Sequence, residues 1–416
     1  MVPPPTSDPN RVASIMLSWH SLDLVSCTVL QTLWAGYGYV CAITARATTD
    51  EAAEHLSELC GVELGSAGTT YPLILKLISP PRNSSRNEDE GHLRKILSYE
   101  VEQYFYSNVV TLLGDEIAVA KCLVSTRDMD GEEELGGLMA TIMVDLRTKF
   151  PVAGEKRSVL NRTQVHGALD WLASFHSRSW GLLPDSLDEY VLPPLEESSR
   201  RQSAGKDIRS GLWLNGGYTY LATRQKEYAS LAQDSDSEWS VAMCRASEGS
   251  LLSVAEMVAL FLTPCGRPIE SYIHGDVKSE NLFTTINGDE VAFFDFQYVG
   301  LGLGVCDLAK LFTCSVPLHM LVDVNEPLPE QLTMRDGERR LLKRYRTSLL
   351  QDKESDLYEW EIFRRHWETA LVDWCRFQAS WGFWGNTEWL KARVRSILSD
   401  RGWRDWLHQN TSSRGG

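Results

Sequence analysis

The segment YIHGDVKSENLF, residues 272–283, sets a histidine, an aspartate, a lysine and an asparagine between two apolar ends. Asp276 and Asn281 stand five positions apart, and a second segment, VAFFDFQ, puts Asp295 nineteen positions beyond Asp276. Taken alone, H-x-D-x4-N is equally the signature of a hydrogen-bonded turn. Two apolar stretches that each end in polar side chains point instead to phosphoryl transfer from a nucleotide. That chemistry asks for a carboxylate to orient the attacking hydroxyl and accept its proton, and for oxygen ligands that hold Mg2+ on the phosphates. Asp276 can serve as the base, with Asn281 and Asp295 as hard oxygen ligands for the metal.

A cation must also neutralise the phosphates. Lys76 lies inside the apolar strand pattern YPLILKLIS, where a lysine is costly to bury unless it is paired. A helical pattern over 93–109 offers Glu102, or Glu100 one face over, as the partner. The turn Gly36-Tyr37-Gly38 can bring backbone N–H groups over phosphates, or can simply join two strands. His274 reads as a hydrogen-bonding scaffold for its loop, and Asp307 in VCDLAKLF as a helix cap.

The elements that must position these residues are read from pattern. Strands are predicted over 24–34, 39–48, 71–79, 116–124 and 138–146, with helices over 50–61 and 93–109. After Leu146 helical patterns dominate, at 164–181, 217–232, 251–263 and from about 335 to 407, with short strands around the two polar motifs. Residues 182–212 are rich in Pro, Ser and charge and read as a loop or poorly ordered insertion. A β-rich first third followed by a helical remainder predicts an α+β chain of two lobes with a cleft between them. The expected division is a disordered leader over 1–20, a nucleotide-binding lobe over 21–146, a catalytic and substrate lobe over 147–407, and a disordered tail over 408–416.

Composition narrows the function classes. Forty-one basic against 56 acidic residues give a net charge of -15, which argues against nucleic acid or an anionic membrane as main partner. The same charge is compatible with a cationic small molecule. No stretch reaches the roughly 20 apolar residues that span a bilayer, and the opening MVPPPTSDPNR lacks the apolar core of a secretory signal. The nine cysteines are odd in number and show no zinc-site spacing, so a reducing, cytoplasmic setting is expected. The pattern says nothing of oligomeric state.

The chain resembles the protein-kinase-like superfamily and, within it, the choline kinase and aminoglycoside phosphotransferase group, most closely the ecdysteroid-kinase-like branch. The resemblance is carried by LILKLISPP, SYEVEQYFY, IMVDLRTKFP, LDWLASFHSRSWG, IHGDVKSENLF, FFDFQYVGLGLGVCDLAKLF and LVDWCRFQASWGFWG, in that order from about residue 24 to 390. It implies a bilobal fold, ATP and Mg2+, Asp276 as base, Asn281 and Asp295 on the metal, and Lys76 on the phosphates. It further implies adenine contacts from the backbone around Val144 to Leu146, and a Lys278 that meets the transferring phosphate as in Ser/Thr protein kinases. Yet Gly275 stands where those kinases carry an arginine, the metal motif reads DFQ, and no A-P-E segment comes after it. The expected activity is therefore transfer to a hydroxyl of a small molecule. A non-catalytic nucleotide-binding or adaptor protein and a Ser/Thr protein kinase are the alternatives. The acceptor pocket is expected from the 182–215 insertion and from Trp374, Arg376, Phe377, Trp381 and Trp384, residues that core packing would equally explain.

Overall fold

The computed structural model describes residues 7–33, 36–80, 89–128, 133–184, 186–204, 211–246, 251–323, 327–351, 353 and 355–412. The chain forms two compact units, Met1–Pro151 and Val152–Gly416. Among the described residues no helix is long and apolar enough to cross a membrane.

The first unit is built on an antiparallel sheet in the order β1-β2-β3-β5-β4. Its strands are β1 (Leu22–Thr32), β2 (Gly38–Ala47), β3 (Thr70–Ile78), β4 (Cys122–Ser125) and β5 (Met139–Val144). Helices α1 (Pro9–Ser18) and α2 (Asp50–Cys60) contribute Val12, Met16, Leu17 and Leu56 to a core with Ile43, Leu73, Leu75, Leu77 and Ile142. Side chains alternate across a strand, so burying Leu73, Leu75 and Leu77 on that face turns Lys76 to the other. There α3 (Glu90–Tyr104) is tied to β5 by Gln103, whose Nε2 donates to the Ala140 carbonyl at 3.1 Å. A π-helical turn, Phe105–Val109, carries α3 into α4 (Val110–Leu113).

The second unit is mainly helical: α5 (Arg162–Ser179), α6 (Pro194–Ala204), α7 (Gln225–Gln233), α8 (Glu238–Met243) and α9 (Val254–Leu262) precede the strands that carry the polar motifs. After them come α10 (Val305–Cys314), α11 (Leu318–Leu321), α12 (Asp336–Leu349), α13 (Trp360–Trp381), α14 (Thr387–Ser399) and α15 (Arg401–Thr411). Strands β7 (Glu270–Ile273) and β10 (Gly300–Leu303) pair antiparallel, and β6 (Val152–Ala153), β8 (Leu282–Thr284) and β9 (Val291–Phe293) form a second small sheet.

Five sequence expectations need correction, the first being the helix expected over 217–232, which as α7 begins only at Gln225. Residues 9–18 of the expected disordered leader are helical: Asp8 accepts from the Asn10 N–H, Pro9 starts the helix, and the apolar face is buried. Residues 408–411 of the expected disordered tail belong to α15, which buries Trp403, Leu407 and Thr411. The 182–212 insertion contains α6, whose buried Glu197 pairs with Arg200 at 2.5 Å and Arg201 at 2.7 Å. The 116–124 strand gains a ladder only from Cys122, while Ile117, Val119 and Ala120 are buried as irregular backbone. Residues 1–6, 205–210 and 413–416, which also fall in the leader, insertion and tail, lie outside the described residues.

Helices α12, α13 and α14 are joined by a buried ion pair. Glu338 accepts from Arg393 Nε at 2.9 Å and from Trp367 Nε1 at 2.8 Å, and Arg393 Nη1 donates to the Leu332 carbonyl. Removing one partner of such a pair leaves an uncompensated charge in the interior. Glu338→Ala should therefore lower unfolding free energy by about 3–5 kcal/mol, read from urea denaturation. A change within experimental scatter would show that the pair is not a structural tie.

Candidate active site

The loop between β7 and β8 is anchored from a distance. His274, which is fully buried, donates its backbone N–H to Asp307 Oδ2 at 2.7 Å, and Gly275 donates to Oδ1 at 2.9 Å. Asp307 sits in the first turn of α10, and His176 Nε2 donates to the same carboxylate at 3.2 Å. Burial alone would raise the Asp307 pKa. The His176 hydrogen bond and nearby positive charge hold it below the ordinary aspartate value. The expected helix cap is thus something else: α10 begins at Gly304 without a side-chain cap, and Asp307 reaches back to the loop.

His274 then braces the loop from within. Its Nδ1 accepts the Asp276 N–H at 3.2 Å and its Nε2 donates to the Phe294 carbonyl at 2.9 Å. That pairing requires the neutral ring with its proton on Nε2, and burial does lower the His274 pKa. Gly275 has φ +82°, and a Cβ there would lie 2.3 Å from the Tyr298 carbonyl oxygen and 2.6 Å from the Gly217 nitrogen. No side chain fits, which explains the missing arginine.

Asp276 Oδ2 accepts from Asn281 Nδ2 at 2.9 Å and faces Lys278 Nζ at 3.1 Å. Lys278 also meets Glu280 at 3.0 Å. Burial would lower the Lys278 pKa, but the Asp276 and Glu280 carboxylates outweigh it and hold the ammonium above its ordinary value. The Asn281 carbonyl accepts the Phe294 N–H at 3.0 Å, which fixes the residue before Asp295 opposite Asn281. Asp295 adopts φ +66°, a left-handed conformation that costs about 1–3 kcal/mol in a non-glycine residue and concentrates at working sites. Gln297 Nε2 donates to its Oδ1 at 2.7 Å.

Asp276 and Lys278 open onto a cavity of about 250 Å3 walled by Tyr218, Trp374, Phe377, Trp381 and Trp384. Burial, reinforced by the Asp276 charge, pushes the Tyr218 phenol well above its ordinary pKa, so it remains an O–H. The aromatic run is therefore a pocket wall as well as core. Arg376 is not part of it, being buried against Asp373 and the Thr219 carbonyl, and the described residues of the 182–215 insertion supply none of the lining.

In the first unit, Lys76 Nζ lies 2.5 Å from Glu102 Oε2 and 5.8 Å from the centre of the Tyr99 ring. Tyr99 and Glu102 are three apart on α3 and so share a face. Glu102, not Glu100, is the partner that the described contacts give Lys76. Gly38 brings β2 against β3 so closely that a Cβ would sit 1.9 Å from the Leu77 carbonyl oxygen. The Gly36 N–H closes the turn onto the Leu33 carbonyl. At the end of β5, the Val144 N–H donates to the Lys121 carbonyl, and the Leu146 carbonyl accepts from Lys149 and Phe150.

Sequence reasoning missed Tyr218, Arg224 and Lys310 in the pocket lining. A lysine within the apolar helix VCDLAKLF was the available signal for Lys310. Tyr218 and Arg224 come after the Gly216-Gly217 bend, and only folding brings them to the pocket. Among the described residues no three His, Cys, Asp or Glu side chains converge on a metal position. The oxygen donors here are two carboxylates and one amide.

The model of the ecdysteroid kinase-like family matches residues 68–328, more than half of the chain. No curated protein matches. Among solved structures, the chain is similar to an ethanolamine kinase from Plasmodium vivax at 12% identity and TM-score 0.35, covering 92% of this chain and 84% of that one. It is also similar to a macrolide 2'-phosphotransferase from Brachybacterium faecium (11%, TM-score 0.40, covering 98% and 99%). A choline kinase from Cryptosporidium parvum aligns at 10% and TM-score 0.38, covering 94% and 90%.

The depressed Asp307 pKa makes folding depend on pH with a definite sign. Its contribution is complete above the ordinary value of about 3.9 and is lost as pH falls through the lower folded-state value. Asp307→Asn should lose about 1–3 kcal/mol at neutral pH, because hydrogen bonds to a charged acceptor are replaced. It should also flatten the acid limb of stability against pH. An acid limb identical to wild type in urea titrations would remove Asp307 as the anchor.

Proposed function

From the premise that the chain belongs to the ecdysteroid kinase-like family, we propose that it is an ATP- and Mg2+-dependent phosphotransferase acting on a hydroxyl of a small molecule. One observation carries the reading. Asp276 stands on the wall of an aromatic pocket while its carboxylate is bonded to Asn281, whose carbonyl holds the strand end that presents Asp295.

Asp276 orients the acceptor hydroxyl and takes its proton. With the Asn281 amide nitrogen committed to Asp276, its oxygen is the atom turned toward a cation, and Asp295 adds a carboxylate. Such a set suits a small hard ion that keeps several waters and phosphate oxygens in its shell. When bound, Mg-ATP supplies the transferable phosphoryl group. Lys278 lies beside the Asp276 carboxylate and is assigned to the transferring phosphate, and Lys76, held by Glu102, is assigned to the nucleotide phosphates. Val144 and Leu146 are assigned to the adenine, with the Gly36–Gly38 turn beside the phosphates. A small acceptor is favoured over a peptide because only Phe296 to Val299 separate the Asp295 motif from β10, which leads directly into α10.

Asp276→Asn keeps the shape but cannot take a proton. It should bind Mg-ATP as wild type does in calorimetry, while turnover of an acceptor found by screening alcohols falls about 10²–10⁴-fold. Wild-type turnover in this variant rules out the assignment, and ATP binding with no turnover of any alcohol favours the non-catalytic alternative. Lys76→Ala should weaken nucleotide binding with the circular dichroism spectrum unchanged. Full ATP turnover in that variant would make the lysine structural.

A further inference from the structure

The pocket's lining differs in sign from the chain as a whole. Five cations, Lys156, Arg157, Arg224, Lys278 and Lys310, face two carboxylates, Asp276 and Glu280, in a chain whose net charge is -15. Lys278 already pairs with both carboxylates, and Arg224 pairs with Glu227 outside the lining.

Lys310 is the decisive one. It is 4% exposed, three residues beyond Asp307 on α10 and therefore on the side that faces the loop. A Cβ on Gly217 would lie 3.4 Å from its Nζ and 3.5 Å from the Gly275 carbonyl oxygen, which puts the ammonium beside the residue preceding Asp276. Among the described residues, that ammonium hydrogen-bonds only the Cys306 carbonyl, at 3.4 Å, and lies 5.8 Å from the centre of the Trp374 ring; Asp307 acts on it through space, but the Asp307 oxygens are taken by His274, Gly275 and His176. An ammonium carries three donors and is expensive to bury without an anion. Next to it the Trp374 Nε1 is also buried without a hydrogen-bond partner. Lys310 and Trp374 are both lining residues, and neither the ammonium nor the indole N–H can accept a hydrogen bond.

The aromatic cage is, by contrast, already filled. The Arg224 guanidinium lies over Tyr218, Phe377 and Trp381 at 5.5, 5.1 and 5.2 Å. It is held there by Glu227 at 2.9 Å and by the Tyr218 carbonyl at 2.6 Å. The rings that would otherwise receive an ammonium ligand are occupied by the chain's own cation.

We infer that the acceptor is an alcohol that also carries an anionic group, a carboxylate, sulfate or phosphate, and that Lys310 binds that group. Amino alcohols and aminoglycosides are excluded by the same lining. This deepens the phosphotransferase reading and rests on it. The anion enters the pocket with its apolar body against Trp374 and Trp384, leaving its hydroxyl toward Asp276.

The test uses the full chain and three probes that share a naphthyl ring and a primary alcohol: a hydroxymethyl-naphthoate, its methyl ester and the aminomethyl analogue. Calorimetry without nucleotide should show the carboxylate binding best. Lys310→Met should weaken it about 10- to 100-fold, the range of a charge-assisted hydrogen bond, and leave the ester unchanged. Circular dichroism and ester binding unchanged in Lys310→Met would show that loss of carboxylate binding is not unfolding. Equal binding of the three probes, binding of none, or a Lys310→Met variant that loses Mg-ATP rather than the carboxylate overturns the inference. Asp276-dependent turnover confined to neutral or cationic alcohols overturns it too, while leaving the phosphotransferase reading standing. Absence of any Asp276-dependent turnover counts against that reading instead.

Discussion

The second unit depends on one buried carboxylate. Asp307 receives two consecutive backbone N–H groups, from His274 and Gly275, at the point where β7 ends and the sheet can no longer satisfy them. Buried amides without partners are nearly absent from folded proteins, so the loop can take this course only because Asp307 is there. The His274 ring can then bridge the Asp276 backbone to Phe294, and Gly275 can lie flush against Gly217 and Tyr298. His176, itself bonded to Tyr345 at 2.7 Å, completes the surroundings of the carboxylate. Positions of the polar groups around Asp276 are thus set by a residue thirty-one positions away in sequence.

The first unit solves a smaller version of the same problem. The sheet has one face filled by leucine and isoleucine, and the alternation that buries Leu75 and Leu77 forces Lys76 to the other side. Glu102 on α3 supplies the counter-charge, and the Tyr99 ring adds a second favourable surface. A buried ion pair is weak evidence for stability, since desolvating two charges can cost as much as their attraction returns. Keeping one in the sheet is easier to understand as the positioning of a cation than as a contribution to folding.

What the sequence made legible was whatever local pattern encodes. Alternation marked Lys76, helical spacing marked Glu102, and the apolar-to-polar switches marked Asp276, Asn281 and Asp295. What it concealed depended on contacts across long separations. Asp307 looked like a cap because it stands at a helix start, and nothing local says that its carboxylate reaches back to residue 274. Arg224 and Tyr218 come after a two-glycine bend where the helical pattern suggested a helix from 217, and α7 begins only at Gln225. Asp8-Pro9, a cap with a proline in the first turn, was a readable helix start, obscured by the prolines before it.

The β8–β9 hairpin has a consequence for how kindred sites are to be recognised. Asn281 and Asp295 are fourteen apart in sequence, yet the pairing of Leu282 with Phe293 and the Phe294-to-Asn281 hydrogen bond bring their neighbourhoods together at the hairpin's base. Chemistry fixes the base; the tip, Thr285 to Glu290, is free to grow. Adding one residue to each arm inserts a rung and leaves Asn281 and Asp295 where they were. Adding one residue to a single paired arm turns the side chains beyond it to the opposite face. Sites of this design are therefore defined by the pairing at the hairpin's base rather than by a fixed interval, and a search for Asn and Asp at one set spacing passes over relatives whose hairpin is merely taller.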